Sequence, residues 1–518
     1  MHNNKRIVSA ILTAVLLLQA VAMTSCGESK TNDTPSTNGV ADASTETTPA
    51  AEEDAAAETP AEETELSDYD KRQLIPDDLP EYKADGKSFR VLQTEEPNIW
   101  DFSIEIKADE LTGDACNDAV YNRNIKIEDR FDTKIVSTPS GAPFNELVTF
   151  TKAGTDDYDL VGFHEYKAYV PLCAKATLNW IDVPNINLEK PWHNAPANDG
   201  ATINNQLYAI CSDLAISSMV FTYAMFANVD LASNYGYTAD DFYTMVREGT
   251  WTLDKFGSLI EGMYVDENGD GTRDLADTYG FGYKIENPAD VWFTAAGEHV
   301  FTESADGKSL KLSFMSEKLV SLYEKLYNLH FNNVGYEKLK DDYEEEIYFI
   351  DNKLVFAPIR FASAYSKLRE MEHVYTMLPI PKYDEAQDTY YTNADDNFIL
   401  FSIPTTAVNN LEFVSIVYEA LCAESYKTVF PAFYDTALKG KYSTDASTAE
   451  MVDLIMAGRA FDFAFQFGES YSQRLSYFIR DRLLAKSEDI VSQYDRLGKL
   501  LDKNLAKLGE LYGVTIEN

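Results

Sequence analysis

The 518-residue chain is 45% hydrophobic and carries 32 Tyr and 28 Phe, enough apolar side chain for a large core spread over two or three domains. Its formal net charge is −41, and no Lys/Arg cluster follows the first few residues. Nucleic acid and phosphate-rich partners, which demand a basic face, are excluded on that ground, and the acidity otherwise speaks only for solubility.

Lys5 and Arg6 precede an uncharged run from Ile7 to Ala22, closed by Met23-Thr24-Ser25-Cys26. A basic flank, a short apolar core and small residues before a cut site predict a secretory signal peptide over residues 1–25. The core is shorter than the roughly 20 apolar residues of a membrane span. The tetrapeptide resembles the lipobox of bacterial lipoproteins, with Met23 where Leu is more usual. That resemblance implies a mature N-terminus at Cys26, lipidated and held at the outer face of the cell membrane. Residues 26–68 are mainly Thr, Ala, Glu, Pro, Asp and Ser. Such a segment cannot offset its ordering entropy by burial, and its like charges repel, so a disordered acidic tether is expected. The remaining cysteines, Cys116, Cys173, Cys211 and Cys422, form no CxxC pair. Two disulfides are possible outside the cell; four buried free thiols are the expectation.

Lys87 to Leu92 reads as a first strand, followed by a polar loop through Trp100. Asn117 to Phe131 reads as a helix with Val120, Ile127 and Phe131 on one face, and Tyr158 to Phe163 as a buried strand. Strand, helix, strand predicts an α/β layer. Asp266-Glu267-Asn268-Gly269-Asp270-Gly271 opens an EF-hand-like spacing, with oxygens at Asp266, Asn268, Asp270, Thr272 (main chain), Asp274 and Asp277. A structural Ca²⁺ is expected there, although Asp277 replaces the usual bidentate Glu; the competing reading is a solvated acidic turn. Leu319, Leu322, Tyr323, Leu326, Tyr327 and His330 follow helical spacing, as do Leu497, Leu500, Leu501, Leu505, Leu508 and Leu511 before a stop at Gly513. No tandem repeat and no second long apolar stretch occurs, so a soluble body is expected.

Several segments in order resemble the family-1, maltose-binding-like extracellular solute-binding proteins. They are YDLVGF (158–163), LEKPWHN (188–194), INNQLYAICSD (203–213), GTWTLDKF (249–256), DENGDGTRDLADTYGFG (266–282), DNKLVFAPIRF (351–361), MLPIPKYDE (377–385) and FYDTALKGKYSTD (433–445). Two spots depart from the family pattern: Phe226-Ala227-Asn228-Val229-Asp230 stands where an Asn-Lys pair is usual, and Trp192-His193-Asn194 where Trp-Trp-Asn is common. The resemblance implies a periplasmic-binding-protein-like α/β fold: two lobes joined by crossing hinge strands, with a ligand cleft between them. Mapped by motif order, lobe one spans 85–215 and 357–398, and lobe two 219–354 and 400–518. It also implies a monomer that captures an extracellular solute, a carbohydrate by family habit, and delivers it to ABC permease subunits. Open α/β sheets bind ligands beyond the carboxyl ends of their strands, and two such edges facing each other make a closable pocket.

Sugar clefts use aromatic faces with carboxylates, amides and Arg. Residues at strand ends or crossovers are therefore candidates: Trp100, His164, Glu165, Asp213, Trp292, Phe293, Arg360, Tyr365, Asp395, Asp396 and Asn397. Each has a plainer reading: Trp292 as lobe-two core, Asp213 as a helix cap, Arg360 as a surface ion-pair partner. Trp180 and Trp251 read as core or turn residues. G-x-S-x-G, H-E-x-x-H, P-loop and G-x-G-x-x-G motifs are all missing, so neither catalysis nor a redox or nucleotide cofactor is expected. A surface glycoside hydrolase using Glu165 with Asp213 or Asp396 is the alternative, as is a surface binding or sensor protein that takes no part in transport.

Overall fold

The computed structural model describes residues 66–95, 106–441, 446–467, 470 and 474–517. Cys26, the signal peptide, the tether up to residue 65 and Trp100 lie outside the described residues.

The first sheet runs in the order β11-β3-β1-β2. β1 (Ser88–Thr94) pairs parallel with β2 (Lys134–Ser140) and β3 (Leu160–His164), and β11 (Ile399–Ser402) pairs antiparallel with β3. The second runs β10-β4-β9-β5-β8. β5 (Tyr279–Tyr283) is parallel to β8 (Tyr336–Lys338) and β9 (Leu354–Arg360), whereas β4 (Tyr223–Asn228) is antiparallel to β9 and to β10 (Tyr375–Leu378). A small third sheet joins β6 (Phe301–Glu303), β7 (Ser309–Leu312) and β12 (Thr515–Glu517). β4 and β9 are buried at every position, which is why they read as unbroken apolar runs rather than alternating ones. Pro358 sits inside β9, but the pairing with β5 runs only to Phe356, so the proline's missing N–H removes no rung there.

The expected helices are present. Ala115–Phe131 begins at Asp114, whose carboxylate accepts from the Cys116 and Asn117 amides at 3.0 Å. Glu317–Phe331 buries Leu319, Leu322, Tyr323, Leu326 and His330, and Gly498–Tyr512 ends at Gly513 with φ 69°. Cys116, Cys211 and Cys422 are buried free thiols; Cys173 is partly buried. Among the described residues no helix is long and apolar enough to cross a membrane.

The lobe boundaries differ from the expectation. β9 and β10 belong to the second sheet, so most of 357–398 stays with lobe two, whereas β11 and the helix Leu411–Pro431 pack with β1–β3 in lobe one. The chain returns to lobe two with the helix Ala446–Ala457 and the C-terminal helices. The cause is visible in one segment. Trp192 donates to Glu419 Oε1 at 2.9 Å and His193 Nε2 lies 2.8 Å from Glu419 Oε2, both in the interior. Those bonds fasten the 411–431 helix to lobe one.

Candidate ligand-binding site

β5, β8 and β9 all end on the same edge of the second sheet, and there a pocket of about 160 Å³ opens. Its position follows from register. β4 runs against β9, so the first residue of β4, Tyr223, lies beside the last of β9, Arg360. Lys284 follows β5, Glu345 and Glu346 come from the helix Glu344–Ile350, and Asp395 and Asn397 from the segment entering β11. Ligands of open α/β sheets sit at such carboxyl edges.

Asp395 is the hub. It lies 3.3 Å from the Arg360 guanidinium, accepts from the Tyr223 hydroxyl at 3.0 Å and the Asn287 amide at 3.2 Å, and takes the Asn397 main-chain N–H at 3.1 Å. Only 5% of Arg360 and 2% of Asp395 is exposed. Burial works to raise the Asp395 carboxyl, but Arg360 and the hydrogen bonds from Asn397 and Tyr223 hold it below the usual carboxylate range. Its neighbour Asp396 goes the other way, because burial and the Asp395 charge both disfavour ionisation. Tyr477 donates to Asp396, and Arg480 donates to Asp290 at 2.8 Å and to the Asn287 carbonyl at 2.7 Å. Asn287 therefore bridges the two clusters and fixes them against each other.

Arg360, Asp395 and Asn397 of the expected residues line this pocket. His164 stands behind it, its Nδ1–H directed at the Asn397 carbonyl and its ring stacked on Tyr166 at 5.8 Å. Burial lowers its basicity. Glu165 lies outside the lining and is buried; burial, then the charges of Asp396 and Asp462, raise its carboxyl well above the ordinary range. Asp213 is also off the pocket and caps no helix; burial pushes it up to about 7 against the opposing pull of Arg459. Tyr365 donates to Asp114 and packs on Phe433, tying its helix to lobe one instead of facing the pocket. Trp292 and Phe293 are corrected outright. Both are 1% exposed within the lobe-two core, where the Trp292 indole donates to Tyr283 at 3.0 Å.

Sequence reasoning passed over Tyr223, Asn287, Tyr343, Glu345 and Glu346. The acidic run around Tyr343 resembles a solvated surface helix; its one local signal is the interruption of the charges by an aromatic residue. The Glu346 carboxylate takes hydrogen bonds from Ser363 and Lys367.

The 266–277 loop folds on its own side chains. Asp266 accepts from the Gly269 and Gly271 amides at 2.8 and 2.9 Å, Asn268 from Asp270 at 3.0 Å, Asp270 from Thr272 at 2.6 Å, and Asp274 from Ala276 at 2.8 Å. Asp277, the expected closing ligand, is fully buried and accepts from Tyr264 at 3.1 Å and from the Glu267 amide at 3.3 Å. Its carboxylate is thus taken up by Tyr264 and the loop's own Glu267 amide. Among the described residues no three His, Cys, Asp or Glu side chains gather to hold a metal ion.

No family model matches the chain, and no curated protein matches it in sequence. Solved structures do match in fold. The GacH receptor of Streptomyces glaucescens GLA.O, known unliganded and with acarbose, is 11% identical and aligns over 83% of this chain and 99% of its own, with a TM-score of 0.51. The galacto-N-biose-/lacto-N-biose I-binding protein of an ABC transporter from Bifidobacterium longum is 8% identical over 84% and 100%, also with a TM-score of 0.51. A family 1 extracellular solute-binding protein from Bifidobacterium longum subsp. infantis is 13% identical over 82% and 100%, with a TM-score of 0.50. The fold is thus the two-lobed α/β architecture of extracellular solute-binding proteins.

Proposed function

We propose that this chain is the solute-capturing subunit of an ABC importer, that it takes up a carbohydrate, and that it performs no chemistry on it. The observation that carries the reading is the Tyr223–Asn287–Arg360–Asp395 cluster. It is a set of polar groups, three buried and Asn287 half-buried, already ordered around a pocket at the carboxyl edge of the second sheet. Preordered donors and acceptors are what hydroxyl-rich solutes require, because a buried polar group left unpaired costs about 1–3 kcal/mol. Fold neighbours that bind acarbose or lacto-N-biose support the choice of sugar. Binding energy would favour the closed arrangement of the lobes, which the permease then reads. Cys26 would carry the lipid that holds the protein at the outer membrane face, with two acyl chains needed for firm attachment. Calcium at the Asp266–Asp270 turn would brace lobe two and take no part in binding.

A hydrolase is disfavoured because Glu165, common to both candidate pairs, is buried away from the pocket. Isothermal titration against a panel of oligosaccharides tests the proposal: saturable, one-to-one binding without product formation is expected. The absence of binding by any sugar, or release of shortened sugars, would refute it. Copurification of permease subunits separates the importer reading from that of a surface sensor.

A further inference from the structure

Carboxylates outnumber cations in the pocket. Five line it, against Lys284 and Arg360. Four of the five have side-chain partners. Asp395 faces Arg360 at 3.3 Å, Glu346 is held by Lys367 and Ser363, and Glu286 and Asp342 share the Lys284 ammonium at 3.0 and 2.5 Å. Glu345 is the exception. It is 6% exposed, and its Oε2 has no hydrogen-bond partner. A buried carboxyl oxygen in that condition is unusual and needs a reason.

The surroundings supply none from within the protein. Tyr343 holds φ 64°, a left-handed conformation that a bulky residue keeps only where its neighbours enforce it. In that position its ring lies 5.4 Å from the Arg360 guanidinium and 4.1 Å from the Lys367 ammonium. Both cations on this side pair with Tyr343 and with other carboxylates, and they offset the burial of Glu345 only in part. Burial, with the Glu346 charge adding to it, pushes the Glu345 carboxyl up to about 7, so the pocket holds a group that a cation would readily ionise.

Resting on the sugar reading of this pocket, we propose that the solute bears a protonated amine seated against Glu345: an amino sugar rather than a neutral one. An ammonium group brings both donors for Oε2 and the missing positive charge, and charge-assisted hydrogen bonds are about twice as strong as neutral ones. A hydroxyl brings one donor and no charge, and an N-acetyl group brings one donor and extra bulk.

The test is titration of the full-length protein with chitotriose (three glucosamine units), its fully N-acetylated form, maltotriose and spermidine. The free-amine trimer is expected to bind at least about tenfold more tightly than either neutral trisaccharide. Glu345→Gln, with its fold checked by circular dichroism, should cut that ratio about tenfold, and Glu345→Asp should keep most of it. Neutral sugars binding as well as or better than chitotriose would overturn the amine assignment and leave the sugar reading intact. Spermidine binding where no sugar binds would overturn the sugar reading itself. A preference unchanged in Glu345→Gln would overturn the role given to Glu345, and binding of none of the four would overturn the amine assignment.

Discussion

Glu345 and Asp395 share a pocket and sit on opposite sides of the same electrostatic balance. Asp395 is surrounded by donors and stays ionised, whereas Glu345 has only its own main chain and distant cations against the penalty of burial. For Glu345 the consequence for stability has a definite sign. Its carboxyl rises from the ordinary glutamate value of 4.5 to about 7, so between those values the folded chain keeps a proton that the unfolded chain releases. Stability is then lost as pH climbs through that window, by on the order of 3 kcal/mol from this one group. Urea denaturation of the ligand-free protein at pH 5 and pH 8 should show wild type less stable at pH 8. Glu345→Gln should remove part of that difference by stabilising the protein at the higher pH. An equal pH slope in the variant would mean that Glu345 is ionised in the pocket at neutral pH. Arg360 and Asp395 could be nominated from sequence because Arg360 closes the apolar run Leu354–Ile359 and Asp395 stands just before the apolar run that enters β11. Glu345 could not, since nothing in an acidic run distinguishes the carboxylate that turns inward from those that face water.

Among the secondary-structure elements, those with strong periodicity were legible and the path between lobes was not. The helices 115–131, 317–331 and 498–512 announce themselves because one face repeats every 3.6 residues, and β3 because both its faces are buried. β11 is equally apolar, and an apolar run does not say which sheet receives it; that depends on long-range partners such as Glu419. Those partners give a check on lobe membership. Glu419→Ala leaves the Trp192 indole and His193 buried without their acceptor, and a loss of about 3–5 kcal/mol is expected in chemical denaturation. A loss under about 1 kcal/mol would show that the 411–431 helix is not held by this contact. The acidic turn at 266–277 raises a different question for the same scale. Its spacing suits calcium, but Asp277 is committed to Tyr264 and the Glu267 amide. If Asp266, Asn268 and Asp270 bind the ion regardless, calcium at a hundred times its dissociation constant should stabilise the protein by about 2.7 kcal/mol over EDTA, and Asp270→Ala should abolish the gain. Identical unfolding curves in calcium and EDTA would remove the ion from the proposal.

For the whole molecule, the lobes are also joined by polar contacts outside the lining of the pocket. The Asn204 and Gln206 side-chain amides, on lobe one, both donate to the Tyr512 carbonyl of lobe two at 2.8 Å, and the Asn204 main-chain N–H points to Glu303 at 3.3 Å. None of these residues lines the pocket, and if the lobes part in an open form these bonds break, so they would favour the closed arrangement without touching solute. Asn204 has φ 51°, so glycine is the replacement that removes the amide without straining the backbone. The double variant Asn204→Gly, Gln206→Ala should lose about 1–3 kcal/mol of closing free energy. If the closed form alone binds tightly, solute affinity falls in proportion to its lost population. Small-angle scattering of the ligand-free variant should show a larger radius of gyration than wild type, and saturating sugar should restore the compact value. An affinity and radius unchanged from wild type would mean that these bonds do not set the opening of the lobes, and that the contacts around Asp395 and Asp396 hold them by themselves.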